Sequence, residues 1–153
     1  MDNTQLKTFI SSIVADATFE ETKEYLIAIV SPDELHNLAK KLKENQSTTF
    51  DYLFCLSGVD MVTYFYTVYH LTSTLHGHSL VLKAKITDHD NAAVDTVSDI
   101  WKTADFHERE AYDFFGIKFN NHPDMRRLFM PDDWNGFPLR KDYVDEVNII
   151  ELV

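Results

Sequence analysis

The chain has 153 residues, 44% of them apolar and 13% aromatic, enough to bury the core of one domain, so disorder of the whole is excluded. A net charge of −11 opposes nucleic acid and anionic lipid alike, and no apolar run approaches the roughly 18 residues of a membrane span. The N-terminus MDNTQLK lacks the basic patch and apolar run of a secretory leader, and the single cysteine, Cys55, can neither close an internal disulfide nor hold an iron–sulfur cluster or a four-cysteine zinc site.

A chain that stays in the cytoplasm without inserting directly into the membrane is therefore expected, and another protein must hold it if it works there. Charge is unevenly spread. Residues 1–119 carry ten basic and eighteen acidic side chains, a net −8; residues 120–143 carry four of each; the last ten carry three acids.

Leu6, Phe9, Ile10, Ile13 and Val14 recur at i, i+3, i+4, i+7 and i+8, which predicts a helix over 4–14 with Asn3 or Thr4 as N-cap. Residues 24–30 are rich in β-branched and aromatic side chains and stop at Ser31-Pro32, a strand entering a turn. Ser31 precedes Glu34 by three, the spacing of a capping box, with Pro32 at the first helical position and Leu35, Leu38, Ala39 and Leu42 along one stripe. Strands are predicted over 48–57, 62–72 and 79–87; in the last, Leu80, Leu82, Ala84 and Ile86 alternate with Val81, Lys83, Lys85 and Thr87. Asn91 can cap a helix carrying Val94, Val97, Ile100 and Trp101. Asp105 and Glu108 repeat the capping-box spacing before a helix over 106–115 that Gly116 ends. These elements make a two-layer α+β domain over 1–119, helices packed on a mostly antiparallel sheet.

Residues 120–153 read as an extended, irregular C-terminal arm. Pro123, Pro131 and Pro138 interrupt it beside Asn135-Gly136, yet Met125, Leu128, Phe129, Met130, Trp134, Phe137, Leu139 and Tyr143 interleave with Arg126, Arg127, Arg140 and Lys141, which no solvated linker carries. Ordering about two dozen backbone positions has a large entropic cost, so a partner protein is expected to supply apolar surface along which the arm lies.

The order of motifs across this region is specific. Glu108-Arg109-Glu110, Tyr112-Asp113, Gly116-Ile117, His122-Pro123-Asp124, Arg126-Arg127-Leu128, Pro131-Asp132-Asp133-Trp134, Gly136 and Pro138-Leu139-Arg140-Lys141-Asp142-Tyr143 follow one another without a break. This run resembles the C-type or 30 kDa subunit of respiratory complex I, the proton-pumping NADH:quinone oxidoreductase; the first hundred residues are only compatible with that family. The resemblance implies a structural subunit of the hydrophilic peripheral arm, on the cytoplasmic face of the inner membrane. Its partners would be the D-type subunit, which forms the quinone site, and the cluster-bearing B-type and I-type subunits. It implies no cofactor in this chain, with FMN, iron–sulfur clusters and quinone in other subunits. In some bacteria the C-type and D-type subunits are fused, a form for which this chain is expected to be too short. Corresponding scaffolds occur in ferredoxin-linked and hydrogenase-type membrane complexes, which stand as the alternative.

Each residue also has a chemical reading of its own. Glu108, Arg109, Glu110 and Asp113 could serve as acids and bases, and a stand-alone hydrolase would use Glu108, Glu110 and His107; with no nucleophile or metal site beside them, a structural salt-bridge network is favoured. Glu108 lies on the stripe of Ala104, Ala111, Tyr112 and Phe115, so it needs a cation, for which Arg126 or Arg127 is the candidate. Arg109, four residues from Asp105 and Asp113, suits pairing along the helix. His76 and His78 flank a glycine and read as a solvated hairpin turn in place of a metal site. His122-Pro123-Asp124 reads as an anchor for the start of the arm. Arg126, Arg127, Arg140 and Lys141 are expected to pair with acids of a neighbouring subunit in place of a phosphate, Trp134, Phe137 and Tyr143 to act as interface anchors, and Cys55 to be a small buried hydrophobe.

Overall fold

The alternation read in residues 79–87 organises the structure. In the computed structural model, which describes residues 2–145, that segment is the middle strand of a five-stranded sheet. The elements in chain order are α1 (Asn3–Ile13), β1 (Thr18–Glu21), β2 (Leu26–Val30), α2 (Pro32–Glu44), β3 (Tyr52–Asp60), β4 (Phe65–Thr72), β5 (Ser79–Ile86), β6 (Ala93–Asp95), α3 (Ala104–Phe115) and β7 (Lys118–Asn120). The sheet order is β1-β2-β5-β4-β3. Only β2 and β5 run parallel; the other three pairs are antiparallel. Register places Leu26, Ala28 and Val30 beside Leu80, Leu82 and Ala84, and these beside Leu71, Tyr69 and Thr67. That face is buried and meets Leu6 and Ile10 of α1, Leu35, Leu38 and Leu42 of α2, and Ala104 and Ala111 of α3 in one hydrophobic core. The result is the two-layer, mostly antiparallel α+β architecture read from the sequence.

The opposite face of the sheet carries Ile27, Ile29, Val81, Lys83, His70 and Cys55. Cys55 is half-buried there, not a core residue as expected, because a register shift between Leu53 and Cys55 turns it away from the helices.

The predicted caps need correction. Asp2 caps α1, its carboxylate accepting from Gln5 N at 2.8 Å while Gln5 reaches back to Asp2 N; neither Asn3 nor Thr4 does so. Ser31 precedes α2 but makes no side-chain cap bond, and the Glu34 amide meets the Ser31 carbonyl at 3.2 Å instead. Thr103 precedes α3, which begins earlier than predicted, and the Asp105–Glu108 box does not form because Glu108 turns into the core. Gly116 does end α3, with φ 73°.

The helix expected after Asn91 is absent. Residues 93–95 are β6, paired in parallel with β7 through Ala93–Lys118, Val94–Phe119 and Asp95–Asn120, and a backbone committed to that pairing cannot wind. Val97, Ile100 and Trp101 still reach the core from a short turn, where the Trp101 amide bonds the Val97 carbonyl at 2.8 Å and its indole N–H the Phe50 carbonyl at 3.0 Å. β1 was not foreseen. The strand predicted from residue 48 starts at Tyr52, since Thr48 and Thr49 close the end of α2, and the one predicted from 62 starts at Phe65, since Asp60 accepts the Val62 amide in the turn before it. Residues 121–145 contain no helix or strand; residues 146–153 of the predicted arm lie outside the described residues.

Candidate subunit interface

The arm travels along α3 from its N-terminus to its C-terminus and is tied down at four places by groups of its own chain. The first lies at residue 122. The His122 side chain is fully buried, accepts the Asp124 amide on Nδ1 at 3.0 Å, and directs Nε2 at the Asp105 carbonyl (3.1 Å) and carboxylate (3.3 Å). A ring that accepts on Nδ1 carries its proton on Nε2, so His122 anchors the arm as the sequence suggested, while Pro123 beside it is exposed.

Glu108, also fully buried, lies 3.7 Å from His122 Nε2. It accepts from the Val97 amide at 2.8 Å and from the Thr96 hydroxyl. Neither Arg126 nor Arg127 reaches it, which corrects the expected pairing. Burial, with further push from Asp105 and Asp99, raises its carboxyl to about 7.

The second tie is Arg109. It does not pair with Asp105 or Asp113 along the helix; Nε donates to the Arg126 carbonyl at 3.2 Å and Nη2 to the Arg127 carbonyl at 3.3 Å, with Asp124 at 3.9 Å. A helical position that faces the arm leaves its guanidinium to satisfy carbonyls that no strand or helix serves.

The third tie is a clasp. The buried Asp113 carboxylate accepts the amides of Leu128 (3.1 Å), Phe129 (2.6 Å) and Met130 (2.9 Å), together with Arg127 Nη1 at 2.9 Å. Burial opposes its ionisation, yet the Met130, Phe129 and Leu128 amides and the Arg127 guanidinium together hold it below the ordinary carboxylate range. Arg127 Nη2 then donates to the carbonyls of Trp134 (3.1 Å) and Gly136 (2.9 Å), and its guanidinium covers the Phe137 ring. Residues 127–136 thus form a loop closed by one arginine and standing on one aspartate, with Pro131 accepting the Trp134 amide inside it. The Arg127 charge is met within the chain and not by a neighbour's acid.

The fourth tie fixes the arm's far end. Leu139 N donates to the Phe114 carbonyl at 3.0 Å, and Phe137 lies over Gly116, where a Cβ would come within 2.6 Å of the ring. Gly116 therefore serves two needs, a left-handed helix end and room for Phe137. Gly136, with φ 82°, makes the same allowance for Tyr143 at 2.9 Å, and Pro138 is half-buried between them. Asp60 at the end of β3 accepts the Lys141 amide at 2.8 Å and faces His89 Nε2 at 3.2 Å. Arg140 donates to His89 Nδ1 at 3.0 Å and to Asp142 at 3.0 Å; since arginine can only donate, His89 carries its proton on Nε2, toward Asp60. The Arg140 side chain also holds the Asp142 carboxyl below its usual range.

Of the residues singled out by sequence, Arg109, Asp113, Gly116, His122, Arg127, Gly136, Arg140 and Tyr143 converge on this seam. Glu110 is exposed on the far side of α3 from Glu108 and no hydrogen bond joins either to His107 among the described residues, so the three residues of the hydrolase reading are not brought together. Arg126 pairs with Asp124, two residues before it, and its side chain is 70% exposed. The side chain of Trp134 is half-buried, and its indole N–H has no acceptor among the described residues. His76 and His78 face the Gln46 and Thr48 carbonyls, and no three metal-ligating side chains gather among the described residues. Asp60 and Thr96 were missed, and no local spacing marks them, because Thr96 meets Glu108 across 12 residues of sequence and Asp60 meets Lys141 across 81.

Several apolar side chains stay outside this seam. Phe106 is 60% exposed, Phe129 62% and Leu139 54%, and Phe129 stacks on Phe114 at 5.4 Å with the rings 9° from parallel.

Known proteins resemble this chain. The family described as respiratory-chain NADH dehydrogenase, 30 Kd subunit, matches residues 28–147, from within β2 through α3 and the arm. The chain is 47% identical to the C-type subunit of an NADH-quinone oxidoreductase of Chloroherpeton thalassium, over 75% of this chain and 49% of that protein. It is 35% identical to the C-type subunit from a Roseiflexus species, over 93% and 84%. A Phocaeicola vulgatus protein, named as the joined C/D subunit of NADH-quinone oxidoreductase, is 42% identical over 80% of this chain but 24% of its own length; the chain thus spans half or less of several relatives. Among solved structures, a chain of the membrane-bound sulfane sulfur reductase, an archaeal respiratory membrane complex, superposes with a TM-score of 0.77 at 26% identity, covering 94% of this chain and 86% of that one. With a family match from β2 through α3 and the clasped arm, the chain belongs to the 30 kDa subunit family of respiratory-chain NADH dehydrogenase.

Proposed function

We propose that this chain is a structural subunit of the peripheral arm of an NADH:quinone oxidoreductase and holds no redox centre. It supports electron transfer from NADH through iron–sulfur clusters to quinone, coupled to proton translocation, by fixing the geometry between subunits that carry the flavin, the clusters and the quinone site. The observation that carries this reading is the family match over residues 28–147, which takes in the clasped arm. One cysteine in 153 residues supplies too few thiolates for a cluster of its own. The neighbours in this reading are the quinone-site D-type subunit, favoured by relatives in which the C and D types are one polypeptide, and the cluster-bearing B-type and I-type subunits. The place is the cytoplasmic face of the inner membrane. No helix among the described residues is long and apolar enough to cross a membrane, so partner subunits would hold the chain there.

The test is purification of tagged chain from gently solubilised membranes with identification of the co-purifying subunits. A complex containing an NADH-binding flavoprotein and a quinone-site subunit is the expected result; a chain that travels alone overturns the proposal. The likeness to the sulfane sulfur reductase chain favours, as a second reading, the same scaffold in another kind of respiratory membrane complex, for which ferredoxin-linked and hydrogenase-type complexes are the candidates. That reading would be marked by co-purification of the other subunits without the NADH-binding flavoprotein.

A further inference from the structure

The clasp holds an aromatic side chain in water. Leu128, Phe129 and Met130 all give their amides to the one buried carboxylate of Asp113, and Arg127 closes the loop beyond them onto Trp134 and Gly136. The backbone at residue 129 is therefore held on both sides, yet the Phe129 side chain at its top is 62% exposed and rests one face on Phe114. An apolar ring whose position is fixed before binding loses little entropy when it is buried, the property that distinguishes an interface anchor from a residue that merely has not been covered.

The surroundings say what would cover it. Pro131, Asp132 and Asp133 of the same loop are exposed, as is Glu110, one helical turn before Phe114 on α3. None of Glu110, Asp132 and Asp133 has a basic partner within 4.0 Å among the described residues. An anionic membrane surface is opposed by those acids, whereas a protein pocket bordered by cations is favoured by them.

We propose that Phe129 is the central anchor of this chain on its neighbouring subunit, and that it enters an apolar pocket rimmed by arginine or lysine side chains. Asp113 and Arg127 are positioning residues that present it. This inference rests on the subunit reading and narrows it to one side chain and one kind of surface.

The experiment co-expresses untagged wild-type chain with a tagged Phe129→Ser or Asp132→Lys/Asp133→Lys chain and measures the tagged fraction in the membrane complex resolved on native gels. Asp132→Lys/Asp133→Lys should melt at the wild-type temperature, because both side chains are exposed, and Phe129→Ser only a few degrees lower, because it gives up only the stack on Phe114. Phe129→Ser is expected to be out-competed by on the order of tenfold or more, and the double charge reversal to be out-competed too, by a margin that shrinks as salt rises. Equal incorporation of Phe129→Ser and wild type overturns the proposal while leaving the subunit reading intact. Failure of tagged wild type to enter any complex sinks the subunit reading itself. Co-sedimentation of the wild-type chain with phosphatidylglycerol vesicles that Phe129→Ser abolishes, or a wild-type dimer that Phe129→Ser converts to monomer, would likewise overturn it, since the occupant would then be lipid or a second copy.

Discussion

Replacing Asp113 by alanine is the most direct challenge to the seam. The wild-type carboxylate is fully buried and the Arg127 side chain is 12% exposed. Removing one member of such a pair costs about 3–5 kcal/mol, because the remaining charge loses its counter-ion without regaining water. Three amides lose their acceptor at the same time, each worth roughly 1–3 kcal/mol if it stays dry. The arm can lift and let water in, however, so the total is capped at the free energy of docking and we expect about 3–5 kcal/mol overall. For a chain of this size that lowers the melting temperature by roughly 10–15 °C if arm and domain melt together. If the arm opens first, trypsin reads it instead. Cleavage after Arg126 and Arg127 requires an open arm, and about 3 kcal/mol of lost docking raises the open population on the order of a hundredfold. Asp113→Asn adds a pH signature. The folded carboxyl sits below its ordinary 3.8, so as the pH falls the unfolded chain takes up the proton first. The stabilisation is complete above about 4 and disappears as the pH drops through the folded value. The difference between wild type and Asp113→Asn should therefore be flat near neutrality and narrow in acid. Unchanged cleavage and an unchanged melting temperature in Asp113→Ala would refute the clasp.

Three further outcomes follow from the same seam. Gly116→Ala should lose about 1 kcal/mol for the left-handed backbone and more for displacing Phe137, whereas in a Phe137→Ala background only the backbone part should remain, as a thermal double-mutant cycle can show. Burial raises Glu108 from its ordinary 4.5 to about 7, so the folded chain holds that proton more tightly and stability should fall as the pH climbs between those values; Glu108→Gln should flatten this stretch of a denaturation profile, with Asp99, Asp105 and His122 left in place. His89→Phe keeps a ring against Phe65, on which His89 stacks at 4.4 Å, but removes the acceptor of Arg140 and the donor facing Asp60. We expect a loss of about 1–3 kcal/mol and earlier proteolysis at Arg140 and Lys141, measured by thermal melting and limited trypsin digestion.

Local chemistry made much of the domain legible. α2 shows its apolar stripe between a proline and a lysine-rich end, β5 its alternation, and α3 its close at Gly116; each pattern is written within ten or so residues because helix and strand periods act at that range. The capping boxes at Ser31 and Asp105 had the right spacing, but a side chain that can cap can also do something else, and Glu108 is taken by Thr96 and Val97. β1, a polar edge strand with both its glutamates exposed, lacks an apolar period to detect. β6 and β7 are three residues each and exist only because they meet.

The sequence by itself determined that this chain is an α+β domain with an irregular, aromatic and arginine-bearing extension, since hydrophobic period, glycine and proline act through neighbours along the chain. Tertiary structure alone decided which acid meets which base. Arg127 goes to Asp113, Arg109 to two carbonyls, and Glu108 to no arginine at all, because a buried charge takes the partner that packing brings within reach, and that distance is not encoded in spacing.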